Sequence, residues 1–163
     1  METDSEIYFY GVKNKYGCFS NFYLTFFVDE HNIKYNCSEQ YFMYQKCLLF
    51  DPTNEKLLKQ ILRSNIPTNI KKLGRSVKNY DEIAWNDKRY SIMLKGLLLK
   101  FSQNDNIKRV LLNTENKTIY EASKYDKIWG IGYNTKEAIN VDKDKYGKNL
   151  LGNALMEIRN MVK

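Results

Sequence analysis

Glu39 and Lys46 stand seven residues apart in Cys37-Ser38-Glu39-Gln40-Tyr41-Phe42-Met43-Tyr44-Gln45-Lys46, and no Gly or Pro interrupts the run before Pro52. Seven residues are two helical turns, so the spacing predicts a helix that shows both side chains on one face with Phe42 and Met43 between them. Ser38 is the expected cap, and Glu39 is placed to favour the positive end of the helix dipole. A carboxylate and an amine in an aromatic surface suit a reaction that develops positive charge. One carboxylate can stabilise an oxocarbenium-like centre while a second acid protonates a leaving nitrogen or activates water. Glu39 as a helix-start charge and Lys46 as its surface partner is the plainer alternative, and the spacing alone leaves both open.

Three more places carry chemistry-bearing residues. They are Gly74-Arg75, Trp85, and the stretch Glu121 to Gly132 with Ser123, Asp126 and Trp129. Trp85 and Trp129 could stack a heterocycle or close a core, and Asp126 is equally suited to forming a turn. In Phe19-Ser20-Asn21-Phe22-Tyr23 a Ser-Asn pair sits at a strand entrance, as turn chemistry or as polar groups aimed at a ligand between aromatics. No Walker loop, dinucleotide Gly-x-Gly-x-x-Gly or Gly-x-Ser-x-Gly elbow is present. Cys18, Cys37 and Cys47 form no Cys-x-x-Cys pair and His31 is the single histidine, which argues against a zinc site and for buried thiols in a reducing compartment.

The chain of 163 residues suits one domain with a core that needs no metal or disulfide. Its 43% apolar share argues against disorder. No apolar run approaches the ~20 residues of a membrane-spanning helix, so no membrane partner is expected. The N-terminal Met1-Glu2-Thr3-Asp4-Ser5-Glu6 is acidic and does not resemble a signal peptide, so the expected location is intracellular, in the cytoplasm. The net charge of +7 is uneven: Lys56 to Arg109 holds thirteen Lys or Arg against four acids and nets +9, while the remainder nets −2. A localised positive field favours polyanions, either nucleic acid or a phosphorylated small molecule, although solvated helix faces account for many single lysines.

The elements that must position these residues follow from pattern. Glu6 to Tyr10 is β-prone, Tyr23 to Val28 and Ile33 to Cys37 form a hairpin around a polar turn, and Thr118 to Ser123 alternates as a strand. Asp51-Pro52 is an expected cap and first-position proline for a helix carrying Leu57, Leu58, Ile61 and Leu62. Pro67 to Leu73 is a short helix stopped by Gly74. A long helix is expected over Asp87 to Ser102 with Trp85 just before it, another over Asp105 to Leu112, and a last one from Lys148. The sum is an α+β, mostly helical single domain with a small, mainly antiparallel sheet.

The motifs together resemble the NADAR or YbiA-like family of N-glycosidases. The likeness runs through Phe19 to Tyr23, Ser38 to Lys46, Lys72-Leu73-Gly74-Arg75, Trp85, Lys100 to Asn104, Leu111-Leu112-Asn113-Thr114, and Glu121-Ala122-Ser123 through Asp126, Trp129, Gly130 and Gly132. Cys47 and Asn113 are mild departures from its pattern. The resemblance implies hydrolysis of a ribosyl C–N bond with no metal or cofactor. It implies an anionic substrate, either ADP-ribosylated guanine in nucleic acid or a phosphorylated riboflavin-pathway intermediate, and a binding module for ADP-ribose or nucleic acid is the reading from another class. Carried over by position, Glu39, Asp126 and Lys46 are the catalytic candidates. Asn21 and Arg75 would meet ribose hydroxyls or phosphate, Trp85 and Trp129 would frame base or ribose, and Lys100 would add positive charge. Phe22, Gln40 and Ser123 complete the expected substrate-binding set.

Overall fold

Helix α1 (Ser38–Phe50) buries Ser38, Glu39, Gln40, Tyr41, Phe42, Met43, Tyr44 and Cys47. Consecutive buried residues advance around a helix, so the Ser38 to Tyr44 part of α1 must be surrounded by other elements, while Leu48 and Leu49 near its end are exposed. The computed structural model describes residues 1–163 and divides into two compact units, one of Asn21–Asn104 and one of Met1–Ser20 with Asp105–Lys163. In the first unit α1 is the centre: α2 (Glu55–Arg63), α3 (Pro67–Arg75) and α4 (Glu82–Ser102) all pack against it. Two glycines permit this close approach. A Cβ on Gly96 of α4 would sit 2.5 Å from the Tyr41 ring, and one on Gly74 of α3 would overlap the Met43 sulfur.

The hairpin of this unit pairs β2 (Phe27–Val28) with β3 (Lys34–Tyr35), antiparallel. Its turn is closed by the Asp29 carboxylate, which accepts from the His31 and Ile33 amides and the Tyr35 hydroxyl at 2.9, 3.0 and 2.8 Å. The strands are shorter than the pattern suggests because side chains replace a neighbouring ladder. Gln103 both donates to the Val28 carbonyl and accepts from its amide, at 2.8 and 2.9 Å, and Asn104 donates to the Phe26 carbonyl at 3.0 Å.

The second unit pairs β1 (Glu6–Phe9) with β4 (Thr118–Glu121) in parallel, Glu6 opposite Thr118 and Phe9 opposite Glu121. Helix α7 (Leu150–Met161) lies on β4 and α5 (Asp105–Leu112) packs against α7. Arg159 of α7, nearly buried, donates to the Thr114 hydroxyl and the Lys117 carbonyl, each at 2.8 Å, and so fixes the turn that leads into β4. The α+β, mainly helical architecture agrees with the expected class. The expected mainly antiparallel sheet is corrected to one short antiparallel hairpin and one longer parallel pair, because alternation places side chains on faces and carries no information on strand direction.

Several boundaries also move. The residue preceding α1 is Cys37, and the Ser38 hydroxyl caps nothing: it is buried without a hydrogen bond. The first turn is served instead by Asn21, whose carbonyl accepts the Glu39 amide at 3.0 Å. Asp51 closes α1 rather than opening α2, and Asn54 caps α2 by accepting from the Leu57 amide at 3.1 Å. Gly74 lies within α3 and does not stop it. Trp85 lies within α4, which begins early because Asp81 accepts from the Ala84 amide at 2.7 Å. The short helix α6 (Thr135–Ala138), held by an Asn134–Glu137 capping box, and the 3-10 turns Gly17–Phe19 and Lys143–Lys145 fall in stretches read as loop.

Gly96→Ala tests how closely α4 approaches α1. Alanine favours a helix by ~1 kcal/mol over glycine, but forcing the enclosed Tyr41 ring aside costs roughly 1–3 kcal/mol. The expected net result is a loss of about 0–2 kcal/mol in chemical denaturation, and a variant more stable than the parent would show that Tyr41 repacks freely.

Candidate active site

The amine of Lys46 is held at the meeting of α1, α3 and α4. It donates to the Gly74 carbonyl at 3.0 Å and sits 4.7 Å from the centre of the Tyr80 ring and 5.7 Å from that of Trp85. Burial drives its pKa below the ordinary lysine value. Glu39 opposes that shift and Arg75, at the end of α3, adds to it. Lost hydration of the ammonium and a neighbouring cation both favour the neutral, nucleophilic form of a lysine.

Glu39 is nearly buried in the first turn of α1, tied by its amide to the carbonyl of Asn21, whose side-chain oxygen is buried and makes no hydrogen bond. The Cys37 thiol is pushed up to about 11, first by burial and also by the nearby Glu39 carboxylate, while Lys100 pulls it down. Lys100 is thus near the start of α1 as well. It is fully enclosed, its amine 5.8 Å from the Tyr23 ring and 5.4 Å from that of Phe101. Phe22 is half-buried and Lys71 of α3 lies 5.9 Å from its ring. Lys71 and Arg75 are four residues apart on α3 and share a face, so this edge of the unit is basic.

Two expected substrate contacts change character. Gln40 is almost wholly buried. Its amide donates to the carbonyls of Ile61, Leu62 and Ser64 at 2.9, 3.1 and 3.1 Å and its oxygen accepts the Asn36 amide at 2.7 Å. Those bonds consume its donors at the end of α2, which makes Gln40 a clamp and not a substrate ligand. Trp85 is only 7% exposed, with Phe42 and Phe50 ring centres 4.9 and 6.2 Å away. It walls the amine and offers no open face. Sequence reading passed over Tyr80 and Lys71. A bulky residue immediately before a helix-capping Asp is the signal that could have found Tyr80, since that position commonly packs back on the helix.

In the second unit Ser123, Asp126 and Trp129 share one loop after β4. One Asp126 oxygen accepts from the Ile128 and Trp129 amides, each at 2.8 Å, and the Asp126 amide approaches the Ser123 carbonyl at 3.4 Å. The loop is tied onward to the start of α7: Lys148, Asn149 and Leu151 donate to the carbonyls of Lys127, Gly130 and Trp129 at 2.8, 3.3 and 3.0 Å. Asn149 holds the edge of β4, accepting from Glu121 at 3.0 Å and donating to Ile119 at 2.8 Å. Asp126 therefore forms the turn that fixes Trp129, through one of its two oxygens.

A half-buried amine under the influence of a carboxylate and a guanidinium, on a helix-rich α+β scaffold, is an arrangement able to support nucleophilic or acid–base chemistry. The NADAR domain model matches residues 8–163. An N-glycosidase of Acanthamoeba polyphaga mimivirus is 42% identical over 167 residues, which cover 98% of this chain and 97% of that protein. N-glycosidase YbiA of Escherichia coli (strain K12) is 31% identical over 159 residues, 98% of this chain and 89% of its own. The NMR structure of E. coli YbiA aligns with a TM-score of 0.78 at 30% sequence identity, covering 99% of this chain and 87% of the other. The chain belongs to the NADAR family.

Two measurements follow from this geometry. The Lys46 amine titrates below the usual lysine range, so its stability contribution has a definite sign: the charged form is disfavoured in the fold, and stability rises with pH between the folded and unfolded values. NMR titration of the Lys46 side chain should show Arg75→Gln moving its pKa up and Glu39→Gln moving it further down; the opposite signs would place the two charges elsewhere. Gln40→Leu should cost about 2–3 kcal/mol in denaturation by stranding buried carbonyls, and an unchanged midpoint would remove the clamp.

Proposed function

We propose that this protein is an N-glycosidase that hydrolyses the bond between a ribose carbon and a base nitrogen, and that its substrate is ADP-ribosylated guanine in nucleic acid. The observation that carries the reading is the half-buried Lys46 amine, held by the Gly74 carbonyl and influenced by Glu39. A binding module would have no use for an amine whose protonated form is disfavoured by its own fold. Named relatives over the whole chain are N-glycosidases, and the basic edge of Lys71 and Arg75 suits the phosphates of such a substrate.

In the proposed reaction Glu39 and Lys46 share one proton. With the proton on Glu39, the neutral amine forms a bond to the anomeric carbon as the carbon–base bond breaks, and the electron pair of that bond leaves on the base nitrogen, which takes the proton from Glu39. The bound nitrogen then passes one proton to the Glu39 carboxylate and its second to the ring oxygen as the bond from the anomeric carbon to that oxygen breaks, which opens the ribose to an imine. Water adds to the imine carbon, the carbon–lysine bond breaks, and ribose is released with the amine restored. Asn21, with its unsatisfied side-chain oxygen, would accept from a ribose hydroxyl. Asp126 is the second proposed carboxylate, and Ser123 and Trp129 are proposed substrate contacts from the same loop. Lys100 and Phe22 are proposed to support the charge and the aromatic surroundings of the substrate.

One turnover assay separates the readings: ADP-ribosylated DNA, ADP-ribosylated RNA and the phosphorylated aminopyrimidine riboside of riboflavin synthesis, offered side by side. Release of ADP-ribose from the nucleic acids, with unmodified guanine left in the strand, is expected, and cleavage of the riboside alone would assign the riboflavin-type activity instead. A general acid is worth about 10²-fold or more, so Glu39→Gln and Asp126→Asn should each lower the cleavage rate by that order. Activity within about threefold of the parent removes that residue from the catalytic set. Borohydride added during turnover should leave ribose attached to Lys46, and no adduct argues against the imine.

A further inference from the structure

Two aromatic rings flank the Lys46 amine, and they differ in what they have left to offer. Trp85 is 7% exposed and is packed by Phe42 and Phe50, so its faces are occupied. Tyr80 is closer to the amine, at 4.7 Å, and is 47% exposed. Its packing contact is edge-on, with the Phe50 ring centre 5.5 Å away. The segment that carries it is anchored on both sides. Asn79 takes the left-handed conformation at φ 55° and donates to the Phe50 carbonyl at 3.3 Å, the Lys78 amide approaches the Asp51 carboxylate at 3.4 Å, and Asp81 caps α4. A large side chain is thus presented to solvent beside the reacting nitrogen by a backbone pinned at the end of α1.

We infer that Tyr80 is the platform on which the leaving base stacks, and that the site selects N-ribosides whose departing group is a planar heteroaromatic ring. The inference rests on the N-glycosidase reading of Lys46. The base leaves from the side of the carbon opposite the Lys46 nitrogen, which lies over the Tyr80 ring 4.7 Å from its centre, so a flat base that departs parallel to that ring can stack on it. Stacking recognises the flat face shared by all bases and does not read their edges. Tyr80 therefore contributes affinity for an aromatic leaving group as a class. Discrimination among bases falls to other groups.

Guanosine is the probe, because its binding needs no turnover. Isothermal titration with the full chain compares the parent, Tyr80→Phe and Tyr80→Leu, with thermal melting as the check on folding and Tyr80→Gln as a second non-aromatic variant suited to the half-exposed position. Parent and Tyr80→Phe should bind within about twofold of each other, and the two non-aromatic variants should bind at least about fivefold more weakly. Equal affinity in parent and non-aromatic variants overturns the platform, as does a parent that binds no guanosine. The two ideas fail separately. Guanosine binding lost with the ring, but no base released from any N-riboside, sinks the N-glycosidase reading and leaves the platform. Normal turnover with unaltered guanosine binding in Tyr80→Leu does the reverse.

Discussion

The constraint on which the first unit depends is the partial removal of a lysine amine from water. Burial of an ammonium group is unfavourable unless the protein supplies charge or dipoles in place of the lost hydration. Here the Gly74 carbonyl, two ring faces and the field of Glu39 provide that replacement, and the partial shortfall is what lowers the amine's proton affinity. The arrangement requires the first half of α1, Ser38 to Tyr44, to be enclosed by its neighbours. It also requires α3 to bring a backbone carbonyl against α1, which an alanine at position 74 would obstruct.

Side-chain amides perform much of the fastening. Gln40 gathers the free carbonyls at the end of α2, and Gln103 and Asn104 substitute for a strand along β2. In the second unit Asn149 serves β4 in the same way. Each uses a donor and an acceptor on one planar group to satisfy backbone that has no regular partner. The polar residues of the Ser123–Trp129 loop are fixed likewise by backbone bonds to the start of α7, so Trp129 is aimed by a rigid segment.

Much of this was legible beforehand. The spacing of Glu39 and Lys46 implied a shared helix face, and the apolar stripes located α2 and α7. What escaped had physical causes. A polar residue in an aromatic helix serves a ligand or the backbone of a neighbour, and sequence does not say which; Gln40 proved to be the latter. Asp51-Pro52 and Asn54 are both acceptable helix starts, and the choice was made by Asp51 closing α1. Trp85 looked like a lid at a helix entrance because the capping role of Asp81 was hidden in a run read as loop. Strand direction depends on which distant segment arrives, and that is invisible to alternation. Tyr80 gained its interest from Lys46 alone, a neighbour 34 positions away in the chain.

The parallel pairing of β1 with β4 joins residues 112 positions apart, Glu6 with Thr118, whereas Asn21–Asn104 is one uninterrupted segment. During synthesis the first strand emerges early and has no partner until most of the chain has been made. The segment between them meets all of its own helices sooner. Local contacts form faster than those that close long loops, so the amine-bearing unit is built to assemble first, and the ends of the chain meet last.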